Sequence, residues 1–346
     1  MKAFAPVNIA WVKYMGKERG RPTNSSFSMT LSDAGTETEI RKLSARASLQ
    51  GSLQAPLSFV FSKSGYIPPD TGQAKAFRFL SESAPFLEVL SSLGFHPRRP
   101  EGFFEIWTKN SVPAGTGIAT SASGFAALTL AWIPHLLTDV EFARFRALFD
   151  SDDSARAMIA ALASRGSGSA CRSFHGPFVE WGRDGLIRPF RDTSLRFVDC
   201  ILILESGAKE VSSSEAHLRV LSSPLFAGRA DRAEQRLLSV KSALASGEGA
   251  ALCSVVLEEA LDMHELFHTS EPPFRYFNQH SEAFLDRIRS GRGLPSGRAA
   301  LTFDAGANAH LFVPEEEAGL WRVWIAREFP RVEILMNLSG KGAVYR

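Results

Sequence analysis

Between residues 102 and 130 the chain reads as strand, glycine-rich turn and helix, and this succession restricts its fold more than any other stretch. Residues 102–108 (GFFEIWT) carry the aromatic and branched side chains of a strand. Residues 112–117 are Pro/Gly turn material, and residues 121–130 (SASGFAALTL) read as a buried helix of small residues. In the segment 113–124 (PAGTGIATSASG), Pro113, Gly115 and Gly117 shape a loop whose N–H groups can approach a ligand. The following helix adds its positive end, and Thr120, Ser121 and Ser123 add hydroxyl donors. No Gly-Lys-Ser/Thr follows, so this is not a Walker loop, and the glycine spacing is not that of a dinucleotide fingerprint. Alone, the segment fits a phosphate cradle or a plain tight turn equally well.

Elsewhere the first half shows a helical pattern at 73–93, a capped helix at 152–163 and a short strand at 178–181. Residues 44–56, rich in Ser, Ala and Leu, read as a loop or hairpin, and 65–72 as turn. An Asp184-Gly185 turn marks a division into domains at 1–185 and 186–346. The second half alternates a buried strand at 197–204, helices at 231–244 and 250–268, strands at 299–304 and 309–313, a helix at 315–329 and a strand at 332–336. Helices mixed with a small sheet give an α+β class.

Composition excludes several functions. Lys and Arg number 39 against 37 Asp and Glu, so no whole-chain field attracts nucleic acid. Three cysteines, Cys171, Cys200 and Cys253, show no metal spacing and suit a reducing compartment. No signal peptide and no apolar run of about 18 residues is evident, so a cytoplasmic protein is expected.

Four further segments join the glycine loop in a fixed order. They are 5–17 (APVNIAWVKYMGK), 22–26 (PTNSS), 165–173 (RGSGSACRS) and 302–309 (TFDAGANA). Together they resemble the diphosphomevalonate decarboxylase family of the GHMP kinase superfamily. The resemblance implies two domains, the first like ribosomal protein S5 domain 2 and the second ferredoxin-like, with ATP and substrate between them. It also implies Mg²⁺, a small-molecule mevalonate phosphate as substrate and, commonly, a homodimer.

The chemistry implied by the resemblance is phosphorylation of a tertiary hydroxyl by ATP, departure of that phosphate and loss of CO₂. It needs an acceptor for the hydroxyl proton, and Asp304 matches that position. A carboxylate in Asp-Ala-Gly could equally form an Asx turn. Arg172 matches the arginine that grips the substrate carboxylate and orients the aspartate, a task that suits a guanidinium fork. Without the resemblance it is an arginine after a Gly/Ser loop. Ser169 matches a substrate-contacting serine, or is a small residue in a turn. Lys13 matches the lysine near the acceptor hydroxyl, and Tyr14 and Lys17 match residues near the diphosphate. Otherwise these three form a solvated strand edge. Asn8 is expected to hold a turn, and Cys171 to be a small buried side chain. Metal ligands are not assigned.

The pattern departs from the family at Met15, Thr120 and Ala307, and at Thr269-Ser270 before Pro272-Pro273. Residues 264–268 (HELFH) match the H-E-x-x-H zinc signature, with no third ligand evident and with His268 filling a place the family resemblance already accounts for. Three readings therefore stand: an ATP-dependent decarboxylase, a monophosphate decarboxylase or kinase of the same fold, and a non-catalytic metabolite sensor.

Overall fold

A computed structural model describes residues 1–18, 21–44, 57–112, 120–205, 207 and 209–346, with the backbone alone at Lys17, Glu18 and Arg21. Of the loop expected at 44–56 all but residue 44, and of the turn expected at 112–117 all but Val112, lie outside the described residues, Pro113, Gly115 and Gly117 included.

The first lobe runs β1 (Lys2–Val12), β2 (Lys17–Glu18), β3 (Arg21–Pro22), β4 (Ser26–Lys42), β5 (Leu57–Phe61), α1 (Asp70–Ser81), α2 (Ala84–Ser92), β6 (Gly102–Asn110) and α3 (Thr120–Trp132). It continues through α4 (Asp139–Ser151), α5 (Asp153–Gly166), a 3-10 turn (Gly168–Ser173), β7 (Phe178–Trp181) and β8 (Ile187–Phe190). The second lobe holds β9 (Phe197–Ile203), α6 (Ser213–Arg219), α7 (Arg229–Ser246), α8 (Gly249–His268) and α9 (Gln279–Arg289). It closes with β10 (Ala300–Phe303), β11 (Ala309–Pro314), α10 (Ala318–Glu328), β12 (Glu333–Leu338) and β13 (Val344–Tyr345).

The larger sheet has the order β13-β1-β4-β6-β5, with β7 pairing β4 and β8. The smaller sheet is β10-β11-β9-β12, antiparallel throughout. Sheet membership runs past residue 185. β8 belongs to the first sheet, and β13 returns to it by pairing Val344 with Phe4. Residues 1–185 and 186–346 thus remain a proposed division that these two strands cross.

One expected helix is two. Pro85 stands in the first turn of α2, and residues 82–83 separate α2 from α1. Proline lacks the N–H that a continuous helix needs and clashes with the carbonyl four residues back.

β1 decides where the site lies. Ala3 and Ala5 enter the core under the first-lobe helices, whereas Val7, Ile9 and Trp11 enter a core shared with α7, α8 and the second sheet. The pairing of β1 with β4 shifts between Pro6 and Asn8, where this change occurs. Irregularities of this kind re-aim side chains beside active sites. Beyond the shift, Asn8 and Ala10 face a cleft between the lobes.

Trp11 anchors the shared core, with its ring 5.0 Å from Phe178, 5.2 Å from Phe197 and 5.0 Å from Phe312. Its indole N–H has no partner among the described residues. Trp11→Ala is therefore expected to cost about 3–5 kcal/mol. Trp11→Phe should cost much less, because it keeps an aromatic ring and removes an unpaired buried donor. Urea midpoints at constant m-value measure both.

Candidate active site

The cleft between the lobes has a volume of about 580 Å³. It receives side chains from the end of β1, the turn after α5, the segment before α6 and the β10–β11 hairpin. Among the described residues its walls carry five basic side chains (Lys13, Lys75, Arg165, Arg172 and Lys209) and one carboxylate, Asp304. A chain of net charge +2 thus builds a strongly cationic cavity by local placement.

Asp304 follows β10 at the start of the turn into β11. The turn is tied by Gly306 N–H to Asp304 O at 2.7 Å, and Asn308 pins it to the end of β9 through Leu204 and Glu205 N–H. Lys13 Nζ lies 2.7 Å from Asp304 Oδ1. The lysine is 2% exposed and the carboxylate 25%, so one end of the pair opens to the cleft. Burial lowers the Lys13 pKa against the pull of Asp304 and Glu259. Burial pushes Asp304 up, but Lys13, His310 and Lys209 together carry it below the usual carboxylate value. Asp304 is therefore an ionised acceptor at neutral pH.

Arg172 is 4% exposed on the 3-10 turn. Its Nε donates to Ser28 Oγ at 2.6 Å and Asn8 Oδ1 at 3.2 Å, and its Nη1 donates to Ser26 Oγ at 2.8 Å. All these partners are neutral. Among the described residues no carboxylate lies within salt-bridge reach, so a buried cation faces the cleft without a counter-ion. An anionic ligand would fill that deficit. The expected orientation of Asp304 by Arg172 is not made by contact. Lys13 grips the aspartate instead, because Arg172 is moored to β4 while Asp304 hangs from the second sheet. Asn8 has the structural role expected of it. The turn it holds is a distant one: Asn8 lies within β1, and its Nδ2 donates to Ser169 O and Ser173 Oγ and braces the 3-10 turn that carries Arg172.

The glycines of the 165–173 motif serve packing. A Cβ on Gly166 would stand 2.0 Å from the Phe125 ring, and one on Gly168 would stand 3.0 Å from Tyr14. Tyr14 packs against Trp181 and His217 and lines the cleft with Ser169. Burial pushes its phenol up to about 12, so it stays protonated. Burial likewise raises the Cys171 thiol to about 12, as expected of a packing residue. Lys17 sits in β2, next to this wall in sequence, and its side chain is not described.

Of the hydroxyls assigned to the phosphate cradle, Ser121 lines both this cleft and a second one of about 230 Å³. Thr120 opens α3 and lines the second cleft alone. Ser123 requires correction. It is buried, and its Oγ lies 2.7 Å from Thr36 Oγ1, which commits it to the contact between helix and sheet.

The zinc-like motif has another use. His264 Nε2 lies 3.1 Å from the Asp304 carbonyl, which only accepts, so Nε2 carries the proton. The ring stacks on Phe277 at 4.1 Å, and burial pushes its pKa down to about 3. Glu265 faces outward beside His268. Among the described residues no three His, Cys, Asp or Glu side chains gather as a metal group.

Sequence reasoning missed Lys209, the serines 212–214 and His217, which line the same cleft. Lys209 Nζ donates to Ala305 O, and Gly16 N–H donates to His217 Nδ1 at 3.1 Å. The run KEVSSS after a buried strand, a second polar small-residue segment, was the available signal. A buried pair, His310 and Asp199 at 2.8 Å, also escaped notice beneath Asp304.

Comparison with known proteins extends this picture. The family model for diphosphomevalonate decarboxylase-like N-terminal domains matches residues 5–186, and that for mevalonate 5-diphosphate decarboxylase C-terminal domains matches 200–342. The diphosphomevalonate decarboxylase of Candida albicans is 30% identical across 90% of this chain and 83% of its own. That of Saccharomyces cerevisiae is 29% identical across 92% and 78%. A mevalonate diphosphate decarboxylase structure from Legionella pneumophila matches with TM-score 0.74 and 26% identity, covering 96% of this chain and 99% of that one. A structure described as MDDEF in complex with MVAPP, AMPPCP and magnesium matches with TM-score 0.77 and 25% identity, covering 99% and 97%. With both lobes matched and the α+β architecture in place, the chain belongs to the diphosphomevalonate decarboxylase family and has its two-domain GHMP kinase fold.

Proposed function

We propose that this chain catalyses the ATP-dependent decarboxylation of mevalonate 5-diphosphate to isopentenyl diphosphate. The observation that carries the reading is the Lys13–Asp304 pair, 2.7 Å apart, in the same cleft as the uncompensated Arg172. Each group answers one need of the reaction. Arg172 receives the substrate carboxylate. Asp304 accepts the proton of the C3 hydroxyl as that oxygen attacks the γ-phosphoryl group. Lys13 holds Asp304 in place and lies beside the oxygen that reacts. The new phosphate ester is a leaving group that a bare hydroxide is not. Its departure leaves positive charge at C3, and the C–C bond to the carboxylate breaks to give CO₂ and the alkene. Tyr14, Lys17 and Ser169 contact the substrate, with the diphosphate lying toward Tyr14 and Lys17.

The residues fit ATP. Ser121 stands at the junction of the two clefts, at the start of α3, where free N–H groups and the helix dipole favour phosphate. The second cleft is lined by Phe61, Tyr66, Pro68 and Phe125, an apolar slot suited to a purine. Thr120 and the loop residues Pro113, Gly115 and Gly117 complete the proposed cradle. Magnesium keeps water and phosphate oxygens as most of its ligands and would spread the charge of the ATP phosphates. The relatives named above support both cofactors, since one of them holds AMPPCP and magnesium. Among the described residues no helix is long and apolar enough to cross a membrane. A cytoplasmic homodimer is part of the proposal, and light scattering tests the dimer.

Asp304→Asn is expected to lower turnover by about 10²–10⁴-fold, the usual worth of a general base. ATP affinity should stay within a few-fold, measured by calorimetry. CO₂ release near the normal rate from that variant would remove Asp304 from its role. Because Asp304 ionises below the usual carboxylate value, kcat should hold as pH falls through the ordinary carboxylate range and fail only below it. ¹⁴CO₂ release should be far faster from the diphosphate of mevalonate than from the monophosphate. The reverse order would reassign the substrate.

A further inference from the structure

Lys13 is held from the second lobe at its peptide group as well as at its ammonium. Glu259 of α8 is fully buried, and its Oε1 accepts the Lys13 N–H at 2.9 Å. The Lys13 carbonyl accepts from Arg229 Nη2 of α7 at 3.2 Å and from Asn24 Nδ2 at 2.9 Å. Arg229, itself 1% exposed, donates to both oxygens of Glu259. Arg236 Nη1 lies 3.0 Å from Glu259 Oε2, and Asp262 pairs with Arg229, Arg232 and Arg236.

A buried ionic cluster of this size is poor value as a stabiliser. Well-packed apolar side chains commonly do as well or better, and the best-attested use of such groups is to fix geometry. Here the geometry fixed is that of the two peptide units flanking the Lys13 Cα. The N–H of one is bonded to α8 and the carbonyl of the other to α7, while the ammonium meets Asp304 beside the second sheet.

We propose that Glu259 and Arg229 are positioning residues for phosphoryl transfer, clamping the Lys13 peptide so that the ammonium meets Asp304 in register. This rests on the role given to Lys13 above. With the peptide pinned, only the side-chain torsions of Lys13 remain free. Displacement of a reacting group by about 1 Å can cost about 10²-fold in rate. Glu259 also contributes charge. Lys13 is faced by Asp304 from the hairpin, Glu259 and His264 from α8, Arg229 from α7, Arg172 from the 3-10 turn and Asp199 from β9. Burial and Arg172 lower its pKa, while Asp304 and Glu259 raise it. Removing the Glu259 charge lowers it further, so the ammonium is lost at a lower pH.

The test is the charge-balanced double variant Glu259→Gln/Arg236→Gln, which removes one carboxylate and one guanidinium together. Expected are ATP and substrate affinities within a few-fold of normal, kcat down about 10–100-fold, and the alkaline limb of kcat moved to lower pH. Glu259→Asp, which keeps the charge but shortens the reach, should restore the limb and leave kcat low. Asn24→Ala, which removes one bond to the same carbonyl and no charge, should lower kcat a few-fold with the limb unmoved, and it carries the test if the double variant does not fold. Normal kcat and an unmoved limb in the folded double variant overturn the clamp, as does normal kcat in Asn24→Ala. Lys13→Met separates the two claims: if it is inactive while the clamp variants are normal, the clamp alone fails, and if it is active, the role of Lys13 fails with it.

Discussion

Much of this molecule turns on one ion pair, Lys13 with Asp304. The lysine follows the first strand of the chain and the aspartate follows β10, in different lobes. Bringing them to 2.7 Å requires the lobes to pack in one arrangement, and Trp11, two residues before Lys13, sits in the core that sets it. A nearly buried ammonium is unfavourable unless it is paired and bonded. Asp304, and the bonds that Glu259, Arg229 and Asn24 make to the Lys13 peptide, supply that pairing from surrounding elements. The pair therefore ties the domain arrangement to the chemistry.

Arg172 is built on the opposite plan. Its nitrogens are held by hydroxyl and amide oxygens, which fix direction without neutralising charge. The site thus offers one cation already matched to a carboxylate and another waiting for one. That asymmetry suits a substrate whose carboxylate must be gripped while its hydroxyl is deprotonated a short distance away. Supporting groups complete it: Asn8 fixes the turn that carries Arg172, and His264 holds the carbonyl of Asp304.

The sequence was legible where chemistry and local pattern coincide. Strand β6 and helix α3, the β10–β11 hairpin and the motifs that bring Lys13, Arg172 and Asp304 into one cleft could all be read from the sequence. The division of labour could not. That Lys13 rather than Arg172 touches Asp304 depends on which sheet each residue hangs from. The commitment of Ser123 to Thr36 depends on the helix face that meets β4. Nothing in the helical pattern at 250–268 marks Glu259 as buried, and Arg229 stands before the helix expected at 231–244. The α1–α2 break was signalled by Pro85, and the capping box Thr138–Glu141 announced α4, so these two were readable and were passed over. The spread of the cleft over seven segments of the chain explains why Lys209, the serines before α6 and His217 went unseen.

A structure of the protein with mevalonate diphosphate bound tests the central claim most directly. The account predicts the substrate carboxylate on the Arg172 guanidinium and the C3 hydroxyl within hydrogen-bond reach, about 2.6–3.2 Å, of Asp304, with Lys13 still paired to that aspartate. A substrate whose hydroxyl turns away from Asp304, or whose carboxylate rests on another cation while Arg172 stays unpaired, would contradict it.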